Sequence, residues 1–180
     1  IYANWQQILP TSVLPAGQSF TMKGINNIIG GTQNYAFVGK PNNGTITLPI
    51  AATNSNLSGN PYPSAIDSRE FIKDNIDGAP ANPGSTGSIT GTLYFWQHAP
   101  ENNSHVLAQY KAGYATLNLV GGVAPMVIAG INGLGTSSKI PNRHIPVGQG
   151  FFVVGDASGG NIQFKNSQRV FKLETDVSAT

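Results

Sequence analysis

The chain predicts an all-β fold, an antiparallel sandwich of jelly-roll type with one short helix. Three observations point there. Apolar residues recur with period two in short segments, as in Ile46, Leu48 and Ile50 set against Thr45, Thr47 and Pro49. Clusters of Gly, Pro and Asn separate those segments. A phrase also recurs in register: Pro15-Ala16-Gly17-Gln18-Ser19-Phe20, with Gly24 beyond it, returns as Pro146-Val147-Gly148-Gln149-Gly150-Phe151, with Gly155 beyond it. Such a repeat defines a structural unit. It divides the chain into the second half of a preceding unit (1–50), a complete sandwich unit (57–174) and the start of a linker (175–180).

The strands follow in order. Ser19–Lys23 and Gly150–Val154 are the strands of the repeated phrase, with Gly148 and Gly150 allowing a tight entry to the second. Phe151–Val154 is apolar on both faces, which predicts a central strand covered on each side. Gln33–Gly39 and Thr45–Ile50 flank Pro41-Asn42-Asn43-Gly44, a sequence suited to a hairpin turn. Ile89–His98 is the longest candidate, placing Leu93 and Phe95 on one face and Tyr94, Trp96 and His98 on the other. Tyr110–Val120 follows. Gly160–Lys165 and Gln168–Glu174 form a final pair joined by Asn166-Ser167, and the turn Asp156–Asn161 reads as a hairpin. The helix starts at Asp67-Ser68-Arg69-Glu70, a capping box with Asp67 as cap and Glu70 at the third helical position. Gly78–Ser88 and Gly130–Pro141 are loops.

Composition narrows the chemistry. Of 180 residues 39% are hydrophobic, enough for a core, but only 10% are charged, well under the usual quarter. The net charge is +2, and no basic cluster exists beyond Lys165, Arg169 and Lys172. The phosphate neutralisation that nucleic-acid binding requires therefore has no source. Cysteine is absent, which removes disulfides, thiolate metal sites and cysteine nucleophiles together. No apolar run reaches the length of a membrane span, so no membrane insertion is expected. The chain opens on Ile1 without an initiator Met or signal peptide and reads as an excerpt of a longer product.

No catalytic set emerges. Asp67, Glu70 and Asp74 are the densest carboxylates, and helix capping accounts for the first two. His98, His105 and His144 lack metal-ligand spacing and read as loop-tip histidines. Gly-x-Ser-x-Gly and P-loop patterns are missing, and Asp156–Asn161 holds one carboxylate where a calcium loop has several. No metal, no cofactor and no enzymatic activity are expected. The remaining functional candidate is aromatic. Tyr94, Trp96 and His98 share a strand face that Trp5, Tyr62, Tyr110 and Tyr114 extend, and such a face stacks against sugar rings when exposed or fills a core when buried.

The phrase Gly59-Asn60-Pro61-Tyr62-Pro63-Ser64-Ala65-Ile66-Asp67 is the most distinctive in the chain. Together with Gly91–Trp96, Tyr114–Asn118, Ile145–Val153 and Asn166–Phe171 it resembles a module of large secreted Bacteroidota surface proteins. Those proteins carry a type IX secretion sorting domain at the C-terminus, often after adhesin-like repeats. The resemblance implies an exported, cell-surface or released location, with neighbouring domains of the same polypeptide as partners. It brings no catalytic residues. The function expected is a non-enzymatic extracellular spacer or adhesion module. A carbohydrate-binding module using Tyr94, Trp96 and His98 is the alternative, and an accessory domain of a secreted hydrolase is a third reading.

Overall fold

A computed structural model describes residues 6–9, 11–22, 36, 38–98, 112–125 and 139–173. Ten strands and one short helix follow in the order β1 (Ile46–Ile50), β2 (Ser55–Gly59), β3 (Ala65–Asp67), α1 (Ser68–Lys73), β4 (Ile89–His98), β5 (Ala112–Leu117), β6 (Gly122–Val123), β7 (His144–Ile145), β8 (Gly150–Gly155), β9 (Gly160–Phe164) and β10 (Arg169–Val170). They form three antiparallel sheets: a five-stranded one in the order β2-β8-β4-β5-β6, a three-stranded one in the order β10-β3-β7, and the pair β1-β9. The fold is an all-β sandwich with one helix.

Strand alternation places the core. On the five-stranded sheet Leu93, Phe95, Leu117, Phe151 and Val153 point inward. They meet Leu48 and Ile50 from β1, Ile162 and Phe164 from β9, Ile66 and Ile145 from the three-stranded sheet, and Phe71 and Ile72 from α1 in one continuous cluster. Phe71 lies at its centre, 5.0 Å from the ring of Phe164 and 5.4 Å, edge to face, from that of Phe151. Offset and edge contacts of this kind add roughly 1 kcal/mol each beyond burial.

One buried amide joins the layers. Asn75 is fully buried after the end of α1. Its Oδ1 accepts the Gln163 N–H at 2.7 Å while its Nδ2 donates to the Gln163 carbonyl at 3.0 Å, so the side chain pairs with β9 as a neighbouring strand would. The same Nδ2 donates to Phe71 O, and the Asn75 carbonyl accepts from Ser88 and Ile89 at the start of β4. Beside it Asp74 accepts from Lys165, Gln168 and Asn82, holding the end of β9 against the helix.

The two copies of the repeated phrase make the same turn, but only the second runs on as a strand: the strand expected over Ser19–Lys23 is not formed by Ser19–Met22, and Gln18 makes a single bridge. In each, the glycine has positive φ, +87° at Gly17 and +74° at Gly148. In each, the glutamine N–H closes a turn onto the proline carbonyl, Gln18 to Pro15 at 3.0 Å and Gln149 to Pro146 at 3.3 Å. A positive φ at the third position is what a type II turn demands. The copies then lie on opposite edges of β2. Gln18 bridges to Ser58 on one side, and β8 pairs along the other with Gly59 opposite Gly150. Gly59 sits where they converge, and a Cβ there would run into Ser19 Oγ and lie 3.2 Å from the Gln149 carbonyl oxygen.

Several local expectations are corrected. Thr45–Ile50 pairs with β9, more than a hundred residues later, and Gly44 and Asn43 before it bond Asn166 and Arg169. Gly160–Lys165 and Gln168–Glu174 are not a hairpin: a 3₁₀ turn at Asn166–Gln168 carries the chain from β9 into a different sheet. Asp156 shapes a turn by accepting from Ser158 and Gly159, but that turn links β8 to β9 across two sheets. Phe151–Val154 is central in its sheet yet covered by the core on one face only, since Phe152 and Val154 are half-buried on the other. Asp67 caps α1 by accepting from Arg69, but the reciprocal half of the box is not made. Glu70 turns to Lys73 and Asn82. The strand expected over 33–39 falls mostly outside the described residues.

Two substitutions test these joints. Asn75→Asp keeps the shape but sets a carboxylate against the Phe71 and Gln163 carbonyls, and denaturant unfolding should show a loss of about 2–4 kcal/mol. Gly59→Ala should cost about 1–3 kcal/mol by overpacking. Ser19→Gly in that background should recover part of it, a coupling that a double-mutant cycle measures.

Candidate ligand-binding face

The outer face of the five-stranded sheet is built by the same alternation that fills the core. Residues with odd numbers on β4, β5 and β8 point inward, so Tyr94, Trp96, Tyr114, Thr116 and Phe152 point outward. Register sets them side by side: Tyr94 faces Thr116 on one flank and Phe152 on the other, and Trp96 faces Tyr114. Trp96 and Tyr114 meet edge to face with centroids 5.0 Å apart, and Tyr114 makes a second edge contact with Phe152 at 5.7 Å. Leu57 on β2, paired with Phe152, and Val123 on β6, paired with Thr116, continue the row to both sheet margins.

The rings are presented, not merely tolerated. Trp96 is 38% exposed and Tyr114 43%, while Tyr94 and Phe152 are half-buried. At the start of β8, Ser19 from the first copy of the repeated phrase packs on Gly150, 3.3 Å from where its Cβ would lie. Of the expected aromatic set, Tyr94 and Trp96 are therefore together on the open face with Tyr114. His98 lies in the same strand, with a side chain outside the described residues, as are Trp5, Tyr110 and His105. Tyr62 does not belong to the face. It is buried, its hydroxyl donates to Gly44 O at 2.6 Å, and the Arg169 guanidinium lies 5.3 Å over its ring. Burial raises its pKa, and the Arg169 charge only partly opposes that. Phe152, Leu57 and Val123 escaped the sequence reading because their part in the face depends on which strands are neighbours.

Among the described residues the carboxylates accept bonds within the fold. Asp67 is buried in the three-stranded sheet and receives a two-pronged bond from Arg143, Nε to Oδ1 at 3.0 Å and Nη2 to Oδ2 at 2.6 Å. Burial pushes its carboxyl pKa up, but the bonds from Arg143 and the Arg69 N–H, with the charges of Arg143 and His144, outweigh that and leave it below the ordinary value. His144 is not at a loop tip. It lies in β7 opposite Asp67, and burial first, then Lys172 and Arg143, lower its pKa against the pull of Asp67. Glu70, Asp74, Asp77 and Asp156 likewise accept bonds within the chain. Among the described residues no three His, Cys, Asp or Glu side chains gather as a metal site. A cleft of about 280 Å³ lies between the turn after β5 and the approach to β7, lined by Arg69, Asn118, Leu119, Ile140, Asn142 and Arg143 among others. The described residues that line it include no carboxylate or imidazole.

A family model described as a domain of unknown function, DUF8693, matches residues 2–177. The chain belongs to that family. The match runs through both copies of the repeated phrase, so the DUF8693 unit includes the segment that flanks β2 as well as the strand β8. No curated protein and no solved structure matches.

The Asp67–Arg143 pair gives this DUF8693 chain a defined acid response. An unfolded aspartate titrates near ~3.9, and the folded one below that. The stability from the pair is complete above the unfolded value and disappears as pH falls through the folded one. Thermal unfolding followed from about pH 5 down to about pH 2 should therefore show a steeper acid limb for the natural chain than for Asp67→Asn. Equal slopes would assign the acid loss to other groups.

Proposed function

We propose that this chain is a non-enzymatic β-sandwich module of an exported surface or secreted protein, and that the outer face of its five-stranded sheet binds carbohydrate. The observation that carries the reading is the Trp96–Tyr114 pair, two exposed rings in edge contact on an otherwise flat sheet face. Rings of this kind offer an apolar surface to the C–H face of a sugar. Among the described residues the carboxylates accept bonds within the fold and none lines the cleft, which supports binding over catalysis. The export route and the neighbouring domains are proposed from the resemblance to type IX–secreted surface proteins.

A spacer or adhesion role without a sugar ligand is the second reading. It is favoured by the continuous core that locks β1 to β9, a construction suited to rigid linkage in a larger polypeptide.

A glycan array probed with the natural chain and with Trp96→Ala separates the two. Binding to at least one glycan class, reduced about tenfold or more by Trp96→Ala (about 1.4 kcal/mol), is expected. The variant should unfold within roughly 1–1.5 kcal/mol of the natural chain, since it forfeits mainly the contact with Tyr114. No binding across a broad array would leave the spacer reading in place.

A further inference from the structure

We infer that the cleft between the β5–β6 turn and the approach to β7 is a second binding site, and that it takes a small monocarboxylate with a short apolar tail. The inference stands apart from the carbohydrate reading and uses none of the rings on the aromatic face. One buried atom points to a ligand. Ser68, the first residue of α1, is fully buried and lines the cleft, and among the described residues its Oγ is without a hydrogen-bond partner. An unmet buried hydroxyl costs folding free energy, and an acceptor entering the cleft removes that cost. Other groups on the lining are donors too. Asn118 commits its Oδ1 to the Val120 and Gly121 N–H groups, and Asn142 commits its Oδ1 to the Arg143 N–H. The NH2 is therefore the end of each amide that can serve a ligand. Arg69 and Arg143 add two guanidinium groups, which donate and never accept. A lining of this kind calls for an acceptor-only group, and planar guanidiniums match a carboxylate.

Charge and shape narrow the ligand further. Arg143 already shares its charge with Asp67 through Nε and Nη2, so a singly charged anion suits the pair of guanidiniums better than a phosphate dianion. The Arg143 side chain is still 52% exposed, and its Nη1 lies outside that fork. Beside the donors, Leu119, packed on the core, and the exposed Ile140 offer apolar surface to a hydrocarbon tail. The volume of about 280 Å³ equals that of roughly nine waters at ~30 Å³ each, room for a ligand of about ten non-hydrogen atoms. The walls are fixed by bonds of the fold itself. The Asn118 N–H closes the β5–β6 turn onto Gly121 O at 3.1 Å, and the Ser68 N–H donates to Arg143 O at 2.9 Å. Gly122 lies so close to the far wall that a Cβ there would run into the Pro141 carbonyl. Donors held in place in this way lose little freedom when a ligand arrives.

Calorimetric titration of the full chain near neutral pH tests this with acetate, butyrate and hexanoate, with hexanamide as the uncharged counterpart, and with inorganic phosphate. Hexanoate should bind with a Kd of about 1 mM or lower. Burial of its tail should make it about tenfold or more tighter than acetate, and loss of the charge should make hexanamide about tenfold or more weaker than hexanoate. Raising NaCl from about 0.05 to about 0.5 M should weaken hexanoate about threefold. Arg69→Gln should weaken it about tenfold. Ser68→Ala should weaken it about fivefold, yet without ligand this variant should unfold at the same or a higher temperature than the natural chain, because an unmet hydroxyl has gone. A purely structural Ser68 would give the reverse, a lower unfolding temperature with unchanged affinity. Ile140→Ser should flatten the gain from acetate to hexanoate, and Trp96→Ala should leave hexanoate binding as it is. A hexanoate Kd above about 10 mM, hexanamide or phosphate binding as tightly as hexanoate, or unchanged affinity in both Arg69→Gln and Ser68→Ala would overturn the inference and leave the carbohydrate reading untouched.

Discussion

The helix is tied to the strands around it through Asn75, a buried amide just past its end. One carboxamide does the work of a short strand: it gives and takes a hydrogen bond with Gln163 and donates to the helical carbonyl of Phe71, while the Asn75 backbone carbonyl accepts from the entry to β4. All of these groups are buried, where an unmade bond costs about 1–3 kcal/mol each. The constraint sets the spacing between helix and strand pair, and so lets Phe71 reach both Phe151 and Phe164. With Phe71 seated, the inner faces of β4, β5 and β8 are filled, and their outer faces are left to present the aromatic row.

The repeated phrase contributes to that face from the side. Its two copies make like turns, yet they play unlike parts. The second opens the central strand β8, while the first covers the free edge of β2, an edge that would otherwise invite pairing with another chain. The cost of bringing both copies to β2 is a site at Gly59 that admits no side chain. The copies also pack on one another there, with Ser19 Oγ 3.3 Å from where a Cβ on Gly150 would lie.

Much of the fold was legible. Alternation in Ile46–Ile50 and Ile89–His98 identified strands and their inner and outer residues, because period two follows from the pleat of a single strand. Asp67 was legible as a helix cap for the same reason, since a cap acts within one turn. Pairing was not legible. Nothing in Thr45–Ile50 points to β9 as its partner, or in Asn43-Gly44 to the bonds with Arg169 and Asn166. Glu70 likewise had the right spacing for a box, and Lys73 and Asn82 offered its carboxylate better partners.

For the candidate site, Tyr94 and Trp96 could be placed on one face from the sequence by itself, and that is a property of β4 taken singly. Whether the face was core or surface, and whether Tyr62 or Tyr114 joined it, depended on contacts with other elements. Tyr62 went inward because Gly44 accepts its hydroxyl and Arg169 covers its ring; Tyr114 stayed outward because β5 pairs with β4 in the register that sets it against Trp96. The amino-acid order thus determined the strands, their facing and a sparsely charged, cysteine-free chemistry, all of which can be read without knowing which segments meet. Only the tertiary structure decided which rings meet and which are exposed, because register and layer packing are settled between segments a hundred residues apart.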